Sequence, residues 1–516
     1  MASTIEGHRS AQEHVLQLPE LLSRIFGFLS LPVYTIEDVA AGSPSPGPST
    51  NKPIPPGLVE RHLRRSTLLA AALTCHSFTE PALDALWETM NSLAPLICLL
   101  PLVNKDGVEY LLLQNCTPKM WEKVAVFAAR IRVFIFSDDS LYQKKGSPIH
   151  PSGYNILVAF RPVLLPRLRT LLIPSCSKDS FAYSSLYFAS PLLERVETGI
   201  TAISIPEYEA FIQTVGCRSD RLRHLSFGYI FPGTIALAFP AFKALLTPKV
   251  QTLAIRTPLA ESIIAASELP ALEEFSVWGT GATPPDFGSV QGFPVLRRLT
   301  LHGEADALLR ILKACSGKLE SIILIVTRGR NDEIKDITNL IAERWSESLH
   351  HLTLNLHGIS DSMDFITLFR SLFGIRLLSF RVLDFPGHLT SSILDIASNF
   401  PMIHTLHLPH SSPNNIPTLA QLHALTKMCP DLRSLMISID VISLGDTPFF
   451  PPTGHQLDSL VINHSPIAAT TPRQVALQLD RIFPYLRNLT STGLQAPKWQ
   501  EVLDVLRICH QARRNV

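Results

Sequence analysis

Three histidines, His404, His407 and His410, occur at every third position and are the first residues whose type and spacing suggest chemistry, because imidazole nitrogens are common zinc ligands. Zinc requires ligands that converge on one point. The segment around these histidines has the pattern of a strand, and strand residues three apart point to opposite faces. No cluster of cysteines or carboxylates lies nearby, so we expect no metal and no other cofactor.

The sequence contains no motif typical of catalysis. No G-x-S-x-G segment occurs, and none of the eight cysteines lies in a recognisable catalytic motif. Gly279-Thr-Gly281 is too short for a phosphate-binding loop, and Pro284-Pro285 follows it where a helix would be needed. We therefore expect a non-enzymatic protein, without catalytic residues, whose function is binding.

The composition narrows the class of partner. The 45 Lys and Arg balance 44 Asp and Glu, which leaves a formal charge of +1 and argues against nucleic acid. Residues 1–17 lack the apolar segment of a secretory signal, and no apolar stretch is long enough for a membrane helix. The cysteines form no CxxC pairs and indicate reduced thiols. We expect a cytoplasmic and/or nuclear protein that binds another protein.

The elements that must position the binding residues are repeats of L-x-x-L-x-L, with Ile, Val or Phe at some positions. The unit begins at Ile131, Leu168, Leu222, Val250, Leu272, Leu296, Leu319, Leu349, Ile375, Ile403, Leu432 and Leu457, with partial copies at Leu193 and Leu486. From Leu168 onward the starts lie 22 residues apart (Val250 to Leu272) to 30 residues apart (Leu319 to Leu349). This spacing is typical of leucine-rich repeats.

The segments between the predicted strands have helical character, as in Ala305 to Cys315, Ile334 to Trp345, Ser391 to Phe400 and Ile416 to Met428. One strand and one helix per repeat predict an α/β solenoid over residues 91–495, a horseshoe or arc with parallel strands inside and helices outside. Asp138 to Pro151 reads as an inserted loop. Residues 496–516 contain an amphipathic segment, Trp499 to Arg514, which predicts a C-terminal capping helix.

Strand residues that alternate with the buried leucines would line the inner face of this arc, where we expect a target protein to bind. The candidates are His224, Arg256, Trp278, Arg298, His302, His351, Asn355, Arg381 and His407. Trp278 is the most informative of them, because a large exposed aromatic side chain favours a binding site. The alternative, that it packs on a long side chain of a neighbouring repeat, stays open.

Residues 1–90 have a different, helical pattern. Residues 18–29 place an apolar residue at positions i, i+4, i+7, i+8 and i+11, with Pro19 in the first turn, and therefore predict an amphipathic helix. Ala41 to Gly57 is rich in Pro, Gly and Ser and predicts a linker. Glu60 to Phe78 predicts a second helix, and Thr79 begins a third that continues through Trp87.

Leu18-Pro-Glu-Leu-Leu-x-Arg-Ile-Phe-x-Phe-Leu29 resembles the first helix of the F-box, and the segments 68–78 and 81–87 resemble its remainder. With the repeats that follow, the chain is similar to the F-box leucine-rich-repeat proteins abundant in mushroom-forming fungi. The resemblance implies a substrate-recognition subunit of an SCF-type cullin–RING ubiquitin ligase. Its F-box would bind the Skp adaptor, and its repeats would bind an unknown target protein.

The resemblance also implies which residues contact the adaptor. The matching positions are Leu18, Pro19, Leu22, Ile25, Phe26, Leu29, Leu69, Leu73, Cys75, Phe78 and Trp87. The chain departs from a compact F-box by the insertion of Leu31 to Ser66 between the two matching blocks. A ligase-independent interaction scaffold, in which these helices only cap the repeats, is the alternative.

Overall fold

The structure is a computed structural model. It describes residues 19–29, 56–105, 107–137, 150, 152–153, 156–157, 163–176, 188–201, 205–228, 240, 242–256, 260–279, 291–357, 359, 365–385, 389, 393–409, 416–441, 450–463, 465, 467, 472–492 and 496–514. Leu18, most of the predicted linker and nearly all of the predicted loop at 138–151 lie outside these ranges. The chain divides into two compact units, Met1–Arg256 and Thr257–Val516, and each is described by itself.

The first unit begins with three helices, α1 (Pro19–Gly27), α2 (Pro56–Thr74) and α3 (His76–Glu88). The helix α2 begins inside the predicted linker. The break between α2 and α3 lies at Cys75, four residues before the predicted Thr79, because Cys75 has an extended backbone. The Thr79 hydroxyl instead lies in the first turn of α3 and donates to Ala72 O at 3.0 Å, one of the last carbonyls of α2.

The next elements link these helices to the strands. They are β1 (Thr89–Met90), α4 (Ala94–Ile97), β2 (Leu102–Lys105), β3 (Val108–Leu111), a 3-10 turn (Leu113–Asn115) and α5 (Pro118–Ala128). The antiparallel hairpin β2–β3 was not predicted. The dipeptide Asp106-Gly107 is its signal in the sequence, because a tight hairpin turn favours a positive φ and Gly107 has a φ of 78°.

Parallel strands follow in the order of the chain. They are β4 (Val133–Ser137), β5 (Thr170–Cys176), β6 (Arg195–Thr201), β7 (His224–Phe227) and β8 (Thr252–Arg256), with α6 (Ile205–Arg218) between β6 and β7. The strand β1 pairs with β4, and each later strand pairs with the one before it. Val196, Leu225 and Leu253 are neighbours in this register and are at most 1% exposed.

The second unit continues the alternation of strands and helices. Its strands are β9 (Glu274–Trp278), β10 (Arg298–Glu304), β11 (Ser321–Arg328), β12 (His351–Asn355), β13 (Ser379–Leu383), β14 (Thr405–His407), β15 (Ser434–Ile437), β16 (Ser459–Asn463) and β17 (Asn488–Thr492). Its helices are α7 (Ala260–Ser267), α8 (Ala305–Ala314), α9 (Asn331–Trp345), α10 (Phe365–Phe369), α11 (Ile393–Ala397), α12 (Leu419–Met428), α13 (Pro472–Ile482) and α14 (Ala496–Arg514). A short 3-10 helix, Arg370–Leu372, follows α10.

The apolar residues of the repeats form aligned, buried rows across the second unit. One row in the parallel register is Phe275, Leu299, Ile322, Leu352, Phe380, Leu406, Leu435, Leu460 and Leu489. Each of these side chains is at most 5% exposed. Adjacent repeats therefore share one core that no single repeat could form. The predicted α/β repeat fold with parallel strands is confirmed.

One repeat start was wrong by two residues. The sequence pattern predicted Ile375, but the strand Ser379–Leu383 places the repeat's first leucine at Leu377, with Phe380 and Val382 as the following buried positions. Ile375 is itself only 4% exposed and closes the turn before the strand. Two overlapping apolar patterns in one segment explain the error, because spacing alone does not separate them.

The predicted C-terminal helix is present and begins at Ala496. It packs against α13 and β17. Its Trp499 is 1% exposed, and the indole N–H donates to Ser465 O at 3.1 Å. None of the helices in the described ranges is both long and apolar enough to cross a lipid bilayer.

Candidate functional site

The first three helices enclose a small apolar core. Leu22 and Phe26 of α1 pack in one cluster with Leu68 and Ala72 of α2 and with Ala82 of α3. The pairs 22/26 and 68/72 have the i, i+4 spacing of a single helix face. Leu22 is 2% exposed and Phe26 is 6% exposed, so their primary role is packing. Whether either one also contacts an adaptor stays a prediction.

The two blocks of the F-box-like pattern meet in this core. The rings of Phe26 and Phe78 pack edge to face with centroids 5.5 Å apart. Leu29 and Phe78 are partly buried against the same cluster. Residues on both sides of the insertion therefore belong to one helical module, whose described parts are α1, α2 and α3.

Other large apolar side chains of this module are exposed. On α1 and just after it, Leu21, Ile25 and Phe28 are 36%, 49% and 84% exposed. On α2, Leu69 and Leu73 are 49% and 79% exposed, and they have the same i, i+4 spacing. Exposure of such side chains to water is unfavourable, so several of them on two helices that share one core favour a docking surface. We call these five residues the apolar docking face.

The remaining predicted adaptor contacts differ in environment. Pro19 and Cys75 are exposed. Trp87 is partly buried, and its ring packs against Phe127 of α5 with centroids 4.8 Å apart. Leu21 and Phe28 are not among the predicted contacts, although their spacing with Ile25 (i, i+4, i+7) is a signal for a second apolar stripe on the same helix.

The helical module is attached to the first strands of the unit. Arg130, just after α5, forms ion pairs with Glu80 and Asp84 of α3. The helix α3 leads directly into β1, which pairs with β4. These contacts attach α3 to the first strands of the unit.

Two predicted target-binding residues lie in the first unit. The His224 ring nitrogen Nδ1 lies 3.1 Å from the Thr252 hydroxyl on the neighbouring strand. Arg256 lies at the end of β8 and is partly buried. Both occupy positions that alternate with buried residues, as the pattern predicted.

The structure brings Trp278 and His302 together in the second unit. They are paired in the register of β9 and β10, and their rings stack with centroids 5.7 Å apart. The His302 Nδ1 accepts a hydrogen bond from the Gly279 N–H, and burial lowers the pKa of His302. Trp278 thus packs on a side chain of the neighbouring repeat, and its contact with a target stays a prediction. Arg298, four residues before His302 on β10, forms an ion pair with Glu274 at 2.9 Å.

Four further candidates lie on the neighbouring strands of the second unit. Arg381 and His407 are paired in the register of β13 and β14, and the His407 Nε2 lies 3.0 Å from the Ser434 hydroxyl. Burial, and then the charge of Arg381, lowers the pKa of His407 to about 4. Burial also lowers the pKa of His351, with smaller effects from nearby cationic groups.

Asn355 differs from the other candidates because half of its amide lacks a partner. Its Nδ2 donates to the Asp384 carboxylate at 2.9 Å. Its Oδ1 is buried and accepts no hydrogen bond from any described residue. Asp384 therefore orients the amide, and the Oδ1 of Asn355 remains available to accept a hydrogen bond.

The histidines that suggested a metal differ in environment. His404 directly precedes β14 and is exposed, His407 ends β14 and is partly buried, and His410 lies outside the described residues. Within the described ranges, no three His, Cys, Asp or Glu side chains are grouped as a metal ion would require.

Two buried thiols have raised pKa values, whereas a nucleophilic cysteine needs a lowered one. Burial raises the pKa of Cys315 to about 12 and that of Cys429 to about 11. A reactive cysteine instead needs a lowered pKa, since the thiolate is the attacking species. These two residues are packing groups of the repeats.

No protein-family model matches the chain, and no curated protein matches it. Among solved structures, the crystal structure of the Rad7 and Elc1 complex in yeast is similar at 13% sequence identity and a TM-score of 0.33. The match covers 71% of this chain and 77% of that one. A likeness this weak carries no inference about function.

Proposed function

We propose that this protein is the substrate-recognition subunit of an SCF-type cullin–RING ubiquitin ligase, active in the cytoplasm or nucleus. Its N-terminal helices bind the Skp adaptor, and its repeats bind a target protein. It carries out no chemistry of its own. The target is modified faster because it is held close to the ligase's ubiquitin-charged enzyme, which raises its effective concentration.

The observation that carries the proposal is the division of the N-terminal apolar residues into two sets. Leu22 and Phe26 hold the module together, while Ile25 on the same helix is 49% exposed. A helix that only capped the repeats would not need a second apolar stripe facing solvent. A helix that inserts into a groove on a partner does need one.

The proposal that the repeats bind a target rests on the alternation of buried and exposed residues along the strands. The positions between the buried residues hold aromatic, basic and amide side chains in the second unit, among them Trp278, Arg381 and Asn355. Aromatic and Arg side chains dominate the energetic centres of protein interfaces. The nine predicted residues remain the candidates for target contact.

Co-purification with the Skp adaptor tests the adaptor half. The variant Leu69→Ser with Leu73→Ser changes two exposed residues of α2, so the helices should keep their fold while adaptor capture is lost. The matched control, Val295→Ser with Met402→Ser, changes two apolar residues of the second unit that are 42% and 54% exposed. Equal capture by both double variants would contradict the proposal.

A ligase-independent scaffold is the second candidate, favoured by the packing of Trp87 on Phe127 and by the pairing of β1 with β4. In that account the module shields the first strands and binds no adaptor. Adaptor capture by the wild type separates the two, and Trp87→Ala measures how far this packing stabilises the repeats. The scaffold account predicts lower stability of the repeats and no adaptor capture by any form of the protein, whereas the receptor account requires capture by the wild type.

A further inference from the structure

A pocket in the first unit is lined almost entirely by cations. It has a volume of about 270 Å³, and its lining residues are Glu194, Arg221, Arg223 and Lys249. It lies where the turns enter β7 and β8. None of these four residues is among the nine candidates for target binding.

The repeat pattern fixes the positions of the two arginines. Leu222, between them, is a core residue that is 0% exposed. Arg221 and Arg223 on either side of it are exposed. The backbone N–H of Arg223 donates to Glu194 O at 2.9 Å, and that of Gln251 donates to Arg223 O at 2.8 Å. Glu194, Arg223 and Gln251 therefore lie at the entries to three adjacent strands, and neighbouring strands are about 4.8 Å apart in the direction of the hydrogen bonds.

Lys249 is held over the neighbouring turn. Its Nζ donates to Asp220 O at 3.0 Å, and Asp220 directly precedes Arg221. An ammonium group has three protons, so two of them remain for another acceptor. The lysine is thus oriented toward the arginines by a carbonyl and not by a carboxylate that would neutralise it.

Among the described residues, the arginines of this pocket form no ion pair, whereas some arginines at the equivalent repeat position do; Arg169 and Arg433 at that position form none either. Arg297 and Arg487 occupy the same repeat position as Arg223, and they pair with Glu320 at 3.0 Å and with Asp458 at 3.6 Å. Among the described residues, no side chain forms an ion pair or hydrogen bond with the guanidinium of Arg221 or Arg223. Adjacent unneutralised cations repel one another, and an anion between them removes that cost.

We propose that this pocket binds a single phosphate monoester, a phosphoserine or phosphothreonine, on the target polypeptide. Two guanidinium groups and an ammonium match the three oxygens and the charge of a phosphate dianion. A nucleic-acid backbone fits less well, because each of its phosphodiesters carries one negative charge and the pocket, at about 270 Å³, has room for a single phosphate and not for a run of them. The inference rests on the target-binding half of the proposed function.

Fluorescence anisotropy with the full-length protein tests this assignment. The probe is a fluorescein-labelled peptide pool with a central phosphoserine and degenerate uncharged flanks, and the reference is the same pool with serine. We expect the wild type to bind the phosphorylated pool about tenfold more tightly, and inorganic phosphate to compete. The variant Arg221→Gln with Arg223→Gln should lose this preference, and Glu194→Gln should bind more tightly because a repulsive carboxylate is removed.

Arg487→Gln is the matched control, because it changes an exposed arginine at the same repeat position outside the pocket. It should bind both pools as the wild type does. Equal binding of the two pools by the wild type, or an unchanged preference in the double arginine variant, overturns the assignment. A third result also overturns it: the wild type binds a single-stranded 20-mer RNA but not the phosphopeptide, and the double arginine variant no longer binds the RNA. Adaptor capture is measured separately, so its loss would count against the proposed function and not against the pocket.

Discussion

The ring of Phe26 packs edge to face on the ring of Phe78, at an interplanar angle of 74°. The two residues belong to the two blocks of the F-box-like pattern, which the insertion of Leu31 to Ser66 separates in the sequence. Loop-closure entropy rises only slowly with length, by about 0.6 kcal/mol per doubling, so such an insertion is compatible with this contact. The pattern is thus split along the chain and joined in space.

Phe26→Ala should loosen the N-terminal helices. Truncating a buried phenylalanine costs about 3–5 kcal/mol. We expect faster hydrogen–deuterium exchange of the backbone amides of α2 and α3. Phe28→Ala, at a position 84% exposed, should leave exchange unchanged. If the two variants exchange alike, the assignment of Phe26 to the core is wrong.

Trp345→Phe should destabilise the second unit. The indole N–H of Trp345 donates to Gly317 O at 2.8 Å, and the side chain is 3% exposed. Phenylalanine leaves this buried carbonyl unpaired, at a cost of about 1–3 kcal/mol. Thermal denaturation measures the loss, with Tyr485→Phe at a half-exposed position as the control. A denaturation midpoint equal to that of the control would show that the hydrogen bond contributes nothing.

Gly317→Ala should destabilise the same unit for a different reason. A Cβ at this position would lie 2.7 Å from the backbone oxygens of Leu296 and Phe293, which cannot move as a flexible side chain can. Overpacking of this kind costs about 1–3 kcal/mol. A Cβ at Gly454 would meet no atom within 4 Å, so Gly454→Ala is the matched control and should be tolerated. Chemical denaturation of the two variants distinguishes these outcomes.

The second unit should lose stability as the pH falls from about 6.5 toward 4. The folded-state pKa of His407, about 4, lies below its ordinary value of 6.5, so the unfolded chain binds more protons in this window. Stability from neutral His407 is present above pH 6.5 and declines below it. At pH 5 the loss is on the order of 1 kcal/mol, about half of what the full shift would give, because solvent screens the partly exposed imidazole. His407→Gln should show a shallower decline than the wild type in denaturation measured from pH 7 to pH 5. Parallel declines would contradict the assignment.

The repeat fold could be predicted from the sequence because the signal is redundant. Each strand start is marked by the same apolar spacing, and errors in one repeat do not spread to the next. The shift from Ile375 to Leu377 is local for that reason. The break at Cys75 was missed because an extended residue between two helix-forming segments has no strong signal in propensity alone.

The candidate site was only partly predictable. The spacing of Leu22, Ile25 and Phe26 places all three on one broad helix face, but spacing does not say which of them meets a second helix. Packing against Leu68 and Ala72 buries Leu22 and Phe26 and leaves Ile25 exposed. The docking face therefore depends on a tertiary contact, which periodicity along one helix does not contain.

Titration of the full-length protein with purified Skp adaptor, by calorimetry, tests the central claim most directly. We expect the wild type to bind and the variant Ile25→Ser with Phe28→Ser to bind at least about tenfold more weakly, with an unchanged denaturation midpoint. Val295→Ser with Met402→Ser should bind as the wild type does. A wild type that does not bind the adaptor, or a docking-face variant that binds it equally well, would contradict the account.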